Sequence, residues 1–515
     1  MKIFFLMRSE GYIRNFESVI DMLSARGHTI HLCFLGKTKM LTEDHLCDKF
    51  ADNPLITYSY FPDDVWWLWN GISKIIRIFQ DYLRYLDPVY CNAHKLRARA
   101  GRYIPSFIQS MLARSCKGDL SRIWLKINRL RWMERIIPVN QNIVNHIKSS
   151  KPDLFLITPL VDIYSNQVDW LKAAQYLGIP SIHCVASWDN LTNKGLIKVE
   201  PDGILVWNEF QKREAVEMHH VPAEKVFVSG AQCYDKWFTY EPKYSRKEFC
   251  EEHSLDPSAK MLLYVCSSPF IAPDEVGFVR RWIEKIRFSA DPVIAEASIM
   301  VRPHPQNARQ WDDVDFSSYG NVTIYPREGA NPIDARTRDD FYHSIYFCDA
   351  VCGINTSAMI ESGILKKPVF TIVTDDFADT QGGTLHFDYL VNEGGLVYQS
   401  SDFDEHLKHL RTAFCGKLGY EGKVSGFLKE FLRPSGLEKE CTPIFCDIIE
   451  KCVELPCRPV RHELSFDALL VKPLLFIVSV IITSIDNFRF AARKTGRKVK
   501  SRLCRIQKKV QSKLR

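Results

Sequence analysis

The chain has 515 residues, 46% of them hydrophobic and 25% charged. This length predicts two domains, and this composition excludes general disorder. Its net charge of +7 arises at one end, because twelve lysines and arginines and no acidic residue lie from Arg489 onward. Residues 1–488 therefore carry a net charge of −5, which argues against nucleic-acid binding. The sixteen cysteines lack paired or zinc-ligand spacing, and no export signal is evident, which predicts reduced thiols, a cytoplasmic protein and no bound metal.

Short apolar runs that predict strands alternate with segments of helical periodicity, which indicates parallel sheets covered by helices. We predict an α/β domain over residues 1–235, a linker over 236–258, a second α/β domain over 259–435 and closing helices over 436–464. The predicted strands are, in the first half, KIFFLM, HTIHLCFL, LITYSYF, PDLFLITP, IPSIHCVA, DGILVWN and KVFVSG, and in the second half KMLLYVCSS, ASIMVRPHP, NVTIYP, DAVCGIN, PVFTIV and GLVYQSS.

Two segments interrupt the alternation. Residues 65–138 predict a helical insertion that is rich in lysine and arginine, and residues 465–515 combine the apolar run Ala468–Ile485 with the basic tail. Because the apolar run contains Lys472 and Pro473, it is marginal as a membrane span. It predicts a helix that lies on an anionic membrane surface. The alternative is a helix packed on the protein, followed by a disordered tail.

Two polar motifs follow predicted strands in the second half of the chain. In the stretch VRPHP, Arg302 offers a planar set of donors for phosphate oxygens, and His304 can donate to a phosphate or move a proton. Asn355, Thr356 and Ser357 begin a helix, where small polar residues cap the helix or, with its free N–H groups, hold an anion.

Glu361 lies one turn further along the face of Ser357, where its carboxylate can accept hydrogen bonds from ribose hydroxyls. Each motif also has a simpler interpretation as a rigid turn, a helix cap or a solvated carboxylate.

The stretch SWDNLTNKG follows the predicted strand IPSIHCVA. Asp189 and Asn190 are either helix-capping residues or part of a cleft at the end of the sheet. The first strand is followed by a loop with Arg8, Ser9 and Gly11, but the chain has no G-x-G-x-x-G, P-loop lysine or G-x-S-x-G motif. These absences argue against a dinucleotide-binding enzyme and an α/β-hydrolase.

The chain resembles the GT-B nucleotide-sugar glycosyltransferases, which have two Rossmann-like domains facing a cleft. The resemblance covers residues 1–60 and 140–435 in organisation. RPHP and NTSAMIESGILKKPV are similar to the donor half of bacterial surface-polysaccharide enzymes, namely Kdo and sialic acid transferases and CDP-glycerol polyol-phosphate transferases. The last group usually has W-H-G where this chain has Trp188, Asp189 and Asn190, which argues against the glycerol-phosphate interpretation.

The resemblance implies that Arg302 and His304 face the donor phosphates, that Thr356 and Ser357 bind phosphate, and that Glu361 lies near the ribose. Asp189 then lies on the cleft floor, as a base toward the acceptor hydroxyl or as a carboxylate that stabilises the reacting sugar.

Asn190 and Lys194 are expected to orient substrate oxygens. Asp162, Arg8 and Glu10 are second-rank candidates, and Asp162 and Asp169 have the alternative interpretation of solvated helix residues.

We therefore predict a glycosyltransferase that is peripheral on the inner face of the cell membrane and requires neither metal nor cofactor. Its expected partners are a nucleotide-sugar donor, a glycan or lipid-linked acceptor and an anionic membrane surface, with no nucleic acid. The alternatives are a CDP-linked polyol-phosphate transferase and a non-catalytic GT-B-like scaffold of a glycan-assembly complex.

Overall fold

The computed structural model describes residues 1–36, 46–62, 67–392, 394–457 and 468–483. The first half of the chain forms a seven-stranded parallel sheet with the strand order β3-β2-β1-β4-β5-β6-β7. Its strands are β1 Lys2–Met7, β2 Thr29–Leu35, β3 Ile56–Phe61, β4 Leu154–Thr158, β5 Ser181–Cys184, β6 Gly203–Val206 and β7 Val226–Val228.

The second half forms a six-stranded parallel sheet with the order β10-β9-β8-β11-β12-β13. Its strands are β8 Met261–Val265, β9 Ser298–Arg302, β10 Val322–Ile324, β11 Ala350–Gly353, β12 Val369–Ile372 and β13 Tyr398–Ser400. All thirteen predicted strands are present, because central parallel strands are covered on both faces and therefore have nearly continuous apolar sequences.

Helices cover both sheets. In the first half they are α1 Ile13–Ala25, α2 Asn70–Arg84, α3 His94–Gly101, α4 Ser106–Cys116, α5 Leu120–Ile136, α6 Gln141–Ser150, α7 Gln167–Tyr176, α8 Asn190–Asn193, α9 Glu209–His219 and α10 Asp235–Phe238. They continue as α11 Arg246–Glu252, α12 Val276–Arg287, α13 Pro292–Ala295, α14 Ala335–Tyr346, α15 Ala358–Ile364, α16 Leu385–Val391, α17 Phe403–Phe414, α18 Tyr420–Phe427 and α19 Cys441–Cys452. Residues 468–483 form α20.

The helical insertion between β3 and β4 is confirmed and comprises α2 to α5. A buried ion cluster attaches it to the first domain: Arg77 on α2 lies 2.8 Å from Glu134 on α5 and 2.6 Å from Asp169 on α7. Asp169 is therefore a buried ion-pair partner, and its interpretation as a solvated helix residue is wrong. Two carboxylates on one guanidinium compensate a charge that is costly to bury alone.

The segment predicted as a linker is partly folded into the second domain, where α11 buries Phe249 and Cys250 against the sheet core. The last helix before the gap, α19, returns to the first domain, and its Thr442 contacts Ser18 on α1 at 2.9 Å. Over residues 1–457 the chain therefore crosses between the domains twice.

Helix α20 packs on the insertion through Ala468 and Leu475, and no helix in the described ranges is long and apolar enough to cross a membrane. The basic tail from Arg489 onward and the end of the predicted closing segment lie outside the described residues.

Candidate functional site

A cleft of about 1700 Å³ lies between the two domains. Its walls are formed mainly by residues that follow the carboxyl ends of β1, β4, β5, β8, β9 and β11. This is the edge at which parallel α/β sheets bind ligands, because loops there diverge and helix N-termini point toward it. Ten predicted site residues line the cleft, namely Arg8, Asp162, Asp189, Asn190 and Lys194 from the first domain and Arg302, His304, Thr356, Ser357 and Glu361 from the second.

Two predicted site residues are not among the lining residues. Glu10 is 4% exposed and accepts a hydrogen bond from the Tyr60 hydroxyl inside the first domain. Asn355 is 3% exposed and its amide donates to the Thr380 carbonyl at 2.9 Å. Both side chains are used to hold loops, which is the common role of a buried polar group.

The loop after β5 brings Asp189 into the cleft. Asp189 occupies the N-cap position of α8, yet its carboxylate makes no capping hydrogen bond. It accepts instead from the Ser187 hydroxyl at 2.7 Å and from the Asn190 amide at 3.3 Å, and Lys194 Nζ lies 4.0 Å away. The geometry therefore disfavours the cap interpretation and leaves the carboxylate available to a ligand.

The protonation of Asp189 is set by opposing effects. Burial alone would raise its pKa, but the charge of Lys194, the nearby His386 and the Ser187 hydroxyl outweigh it, and the pKa is lowered. Burial lowers the pKa of His386 to about 4, so that imidazole is neutral at pH 7 and Lys194 is the main cation acting on Asp189. The carboxylate is therefore ionised at neutral pH.

Side chains of the insertion hold the segment that follows Asp189. Arg84 is 2% exposed, and with three neighbouring donors it satisfies the carbonyls of residues 191–195. Arg84 donates to the carbonyls of Leu191, Lys194 (3.0 Å) and Gly195 (2.9 Å). The Tyr85 hydroxyl donates to Lys194 at 2.7 Å and the Tyr90 hydroxyl to Thr192 at 3.1 Å. Arg99 donates to Asn193. The insertion, which lies outside the family resemblance, thus positions a loop of the cleft.

His304 is held in one tautomer. Its Nδ1 accepts a hydrogen bond from the backbone N–H of Gln306 at 3.1 Å, so a neutral ring carries its proton on Nε2. Burial, assisted by the charge of Arg14, lowers the pKa of His304 to about 4. At neutral pH the imidazole is therefore a hydrogen-bond donor without a charge.

Arg302 lies at the end of β9 and is 5% exposed. Its guanidinium donates to the Ser344 hydroxyl at 2.7 Å and forms an ion pair with Asp340 at 2.7 Å, both on α14. Much of the donor set expected to face phosphates is thus occupied within the second domain. This arrangement favours a positioning role for Arg302, holding the RPHP turn against α14.

The turn between β11 and α15 presents two hydroxyls to the cleft. Neither the Thr356 nor the Ser357 side chain makes a hydrogen bond to any residue that the structure describes, and Ser357 does not cap α15 through its hydroxyl. Glu361 lies one helical turn after Ser357. Burial raises the pKa of Glu361 to about 7, although the charge of Arg14 acts to lower it. Glu361 therefore titrates near neutral pH.

The charges of the cleft single out two residues that were not predicted. Within the described part of the chain, Arg14 on α1 and Lys74 on α2 are the lining cations without a carboxylate within ion-pair distance. The other lining cations each have one: Arg8, Lys49, Arg77, Lys194, Lys236, Lys243, Arg302 and Arg338. Arg14 also acts electrostatically on His304 and Glu361 across the cleft. Its only sequence signal was its place just after the first strand–loop unit.

The same part of the chain contains no group of three or more His, Cys, Asp or Glu residues placed to hold a metal ion. The fifteen cysteines that it includes are free thiols.

No protein-family model matches the chain, and no curated protein matches it. Solved structures do resemble it. A UDP-GlcNAc 2-epimerase from Methanocaldococcus jannaschii has a TM-score of 0.50 at 12% identity, over 87% of this chain and 100% of that one. A glycosyltransferase from Rickettsia africae has a TM-score of 0.49 at 11% identity, over 88% and 98%.

WaaG, a glycosyltransferase of lipopolysaccharide biosynthesis, has a TM-score of 0.45 at 11% identity, over 87% and 99%. At these identities the likeness concerns the fold alone. Together with the two parallel sheets and the cleft at their carboxyl ends, the match to the M. jannaschii structure shows that the chain has the GT-B fold of two Rossmann-like domains.

Proposed function

We propose that the protein is a glycosyltransferase that binds a nucleotide-sugar in the cleft and transfers the sugar to a surface polysaccharide or a lipid-linked glycan. The observation that carries the proposal is that the two sides of the cleft, one from each domain, supply complementary groups. The first domain supplies the ionised carboxylate of Asp189, and the second supplies uncommitted donors at His304, Thr356 and Ser357. Such an arrangement suits a sugar bound between a carboxylate and a phosphate leaving group.

The donor phosphates fit the second wall together with Arg14. Arg14 brings a positive charge that no carboxylate among the described residues neutralises, and it acts on the same region as His304. The Nε2–H of His304 and the hydroxyls of Thr356 and Ser357 add neutral donors. As the bond between sugar and phosphate breaks, negative charge grows on the phosphate, and preorganised donors there lower the barrier.

Asp189 acts on the sugar side. A general base works best when its pKa is near the operating pH, whereas the pKa of Asp189 is lowered. We therefore assign to Asp189 the stabilisation of positive charge that develops on the sugar ring. Glu361, with a pKa of about 7, accepts hydrogen bonds from donor hydroxyls when it is ionised.

The test is release of nucleotide from UDP-, GDP-, CMP- and CDP-linked donors by the full-length protein, with donor binding measured separately by thermal shift. We expect Asp189→Asn to bind the donor but to lower the release rate at least about 100-fold, and His304→Ala to weaken binding. Asp313→Asn, an exposed acid outside the cleft lining, is the matched control. An Asp189→Asn protein with the wild-type rate contradicts the assignment.

The products distinguish the alternatives. Conversion of UDP-GlcNAc to an epimer supports the chemistry named for the M. jannaschii protein. Transfer of a polyol phosphate with release of CMP supports a CDP-linked polyol-phosphate transferase. A protein that binds no nucleotide and releases none supports the scaffold alternative.

We further propose that the protein lies on the cytoplasmic face of the cell membrane. On α20, Leu470, Leu474, Ile477 and Ile481 recur at helical spacing and are 55–63% exposed, although the opposite face packs on the insertion. A helix that is apolar on both faces requires an apolar partner on each. The twelve basic residues that follow from Arg489 favour an anionic membrane as that partner.

A further inference from the structure

We propose that α2 of the insertion forms an acceptor subsite, in which Ser73 and Lys74 bind the phosphate of a lipid-linked acceptor. This inference rests on the proposed transferase function and names the chemical class of its acceptor. Both residues line the cleft.

The first observation is the charge of Lys74. Its side chain is exposed to the cleft, and the described residues place no carboxylate within ion-pair distance of it, unlike the lysines at 49, 194, 236 and 243. A cation that remains uncompensated in a cleft is a ready site for an anion.

The second observation is the neighbouring hydroxyl. Ser73 is 2% exposed, and its Oγ has no hydrogen-bond partner among the described residues. Buried hydroxyls are nearly always hydrogen-bonded, so an exception at a cleft wall requires a reason. A phosphate oxygen held by Lys74 would accept a hydrogen bond from the Ser73 hydroxyl and so supply its missing partner.

The third observation is that α2 does not depend on the acceptor for its position. Arg77, one turn after Lys74, is fixed by Glu134 and Asp169. Further along α2, Asp81 accepts from the backbone N–H of Leu196 at 2.7 Å. The subsite is therefore preorganised on a rigid helix, which reduces the entropic cost of binding.

The fourth observation indicates an apolar anchor on the acceptor. The N-terminal turn of α2 contacts α20: the backbone N–H of Gly71 donates to Thr483 at 3.2 Å and that of Ile72 to Ser479 at 3.3 Å. Gly71 permits this close approach, because a Cβ there would lie 2.9 Å from Ile482.

Residues 71–74 thus place α20, whose outer face is apolar, next to the cleft. A soluble saccharide would use neither the apolar surface nor the cation, whereas a lipid phosphate uses both.

The experiment measures binding of dihexanoyl phosphatidic acid, a short lipid phosphate, to the full-length protein by calorimetry and by hydrogen exchange over α2. The uncharged dihexanoylglycerol and inorganic phosphate are the comparison ligands. We expect Lys74→Gln to weaken binding of the lipid phosphate about tenfold, since one charge-assisted contact is lost. Lys74→Arg should retain it, and Ser73→Ala should weaken it less. Lys148→Gln, an exposed lysine outside the cleft lining, controls for binding to basic residues in general.

The proposal is overturned by equal affinity in Lys74→Gln and wild type, by equal protection of α2 by the uncharged lipid, or by equal loss of affinity in Lys148→Gln. Inorganic phosphate that binds as tightly as the lipid would show an anion site without an apolar anchor, and would also overturn it. The lipid-binding assay contains no nucleotide, so a negative result in it is distinct from a negative result in the donor-binding assay.

Discussion

Arg84 provides a direct test of the idea that the insertion positions the Asp189 loop. Replacing it by methionine keeps an apolar chain of similar length in the buried site but removes the hydrogen bonds that Arg84 itself donates to the loop, while those from Tyr85, Tyr90 and Arg99 remain. Three carbonyls, those of Leu191, Lys194 and Gly195, then lose a charged partner.

The magnitude follows from those bonds. A hydrogen bond to a charged group contributes about 1.5–3 kcal/mol, but the three share one side chain and water can replace part of them, so the contributions are not additive. We expect Arg84→Met to lower the free energy of unfolding by about 3–5 kcal/mol. For a domain of this size, that is a fall of about 10 °C in melting temperature. Displacement of the loop by about 1 Å is expected to reduce kcat about 100-fold.

Calorimetry and nucleotide release are measured together on the full-length protein. The matched control is Arg131→Met, because Arg131 lies on α5 and donates to the carbonyls of Ile197 and His219 at 2.8 and 2.9 Å, outside residues 191–195. It should lose similar stability and keep kcat within about threefold. Wild-type kcat in Arg84→Met, or an equal loss of kcat in Arg131→Met, would refute the positioning role.

Three further results are expected. Because the pKa of Glu361 is raised to about 7, the folded state holds this proton more tightly than the unfolded chain. The free energy of unfolding should therefore fall as the pH rises from 4.5 to 7, and urea titrations should show a smaller fall in Glu361→Gln. Leu474→Glu should reduce co-sedimentation with anionic vesicles at least about tenfold, while Lys148→Gln should not. Glu17 on α1 forms an ion pair with Arg338 on α14 at 3.0 Å across the cleft. Glu17→Gln should therefore increase the radius of gyration in small-angle scattering. An unchanged radius would show that the pair does not hold the domains together.

Local sequence patterns determined the secondary structure and the approximate place of the site. All thirteen strands could be predicted because each is a short apolar run that parallel packing covers on both faces. Polar residues that directly follow such a run lie at the carboxyl edge of the sheet, whatever the details of packing. Asp189, His304 and the pair Thr356 and Ser357 reached the cleft for this reason. Whether Asp189 caps a helix was not decided by its position in the chain.

Only the tertiary structure decided which side chains are free to act. Arg302 and Glu10 have suitable chemistry, but Asp340 and Tyr60 engage them, and partners distant in the chain have no local sequence signal. Arg14 and Lys74 stand out only after the other lining cations have been matched to their carboxylates.

The role of the insertion in holding residues 191–195 depends on contacts between segments about one hundred residues apart in the chain. Composition and periodicity determined where the strands end. Long-range contacts determined which charges and hydroxyls remain available to a ligand, because the compensation of a buried charge depends on its distance in space from other charges.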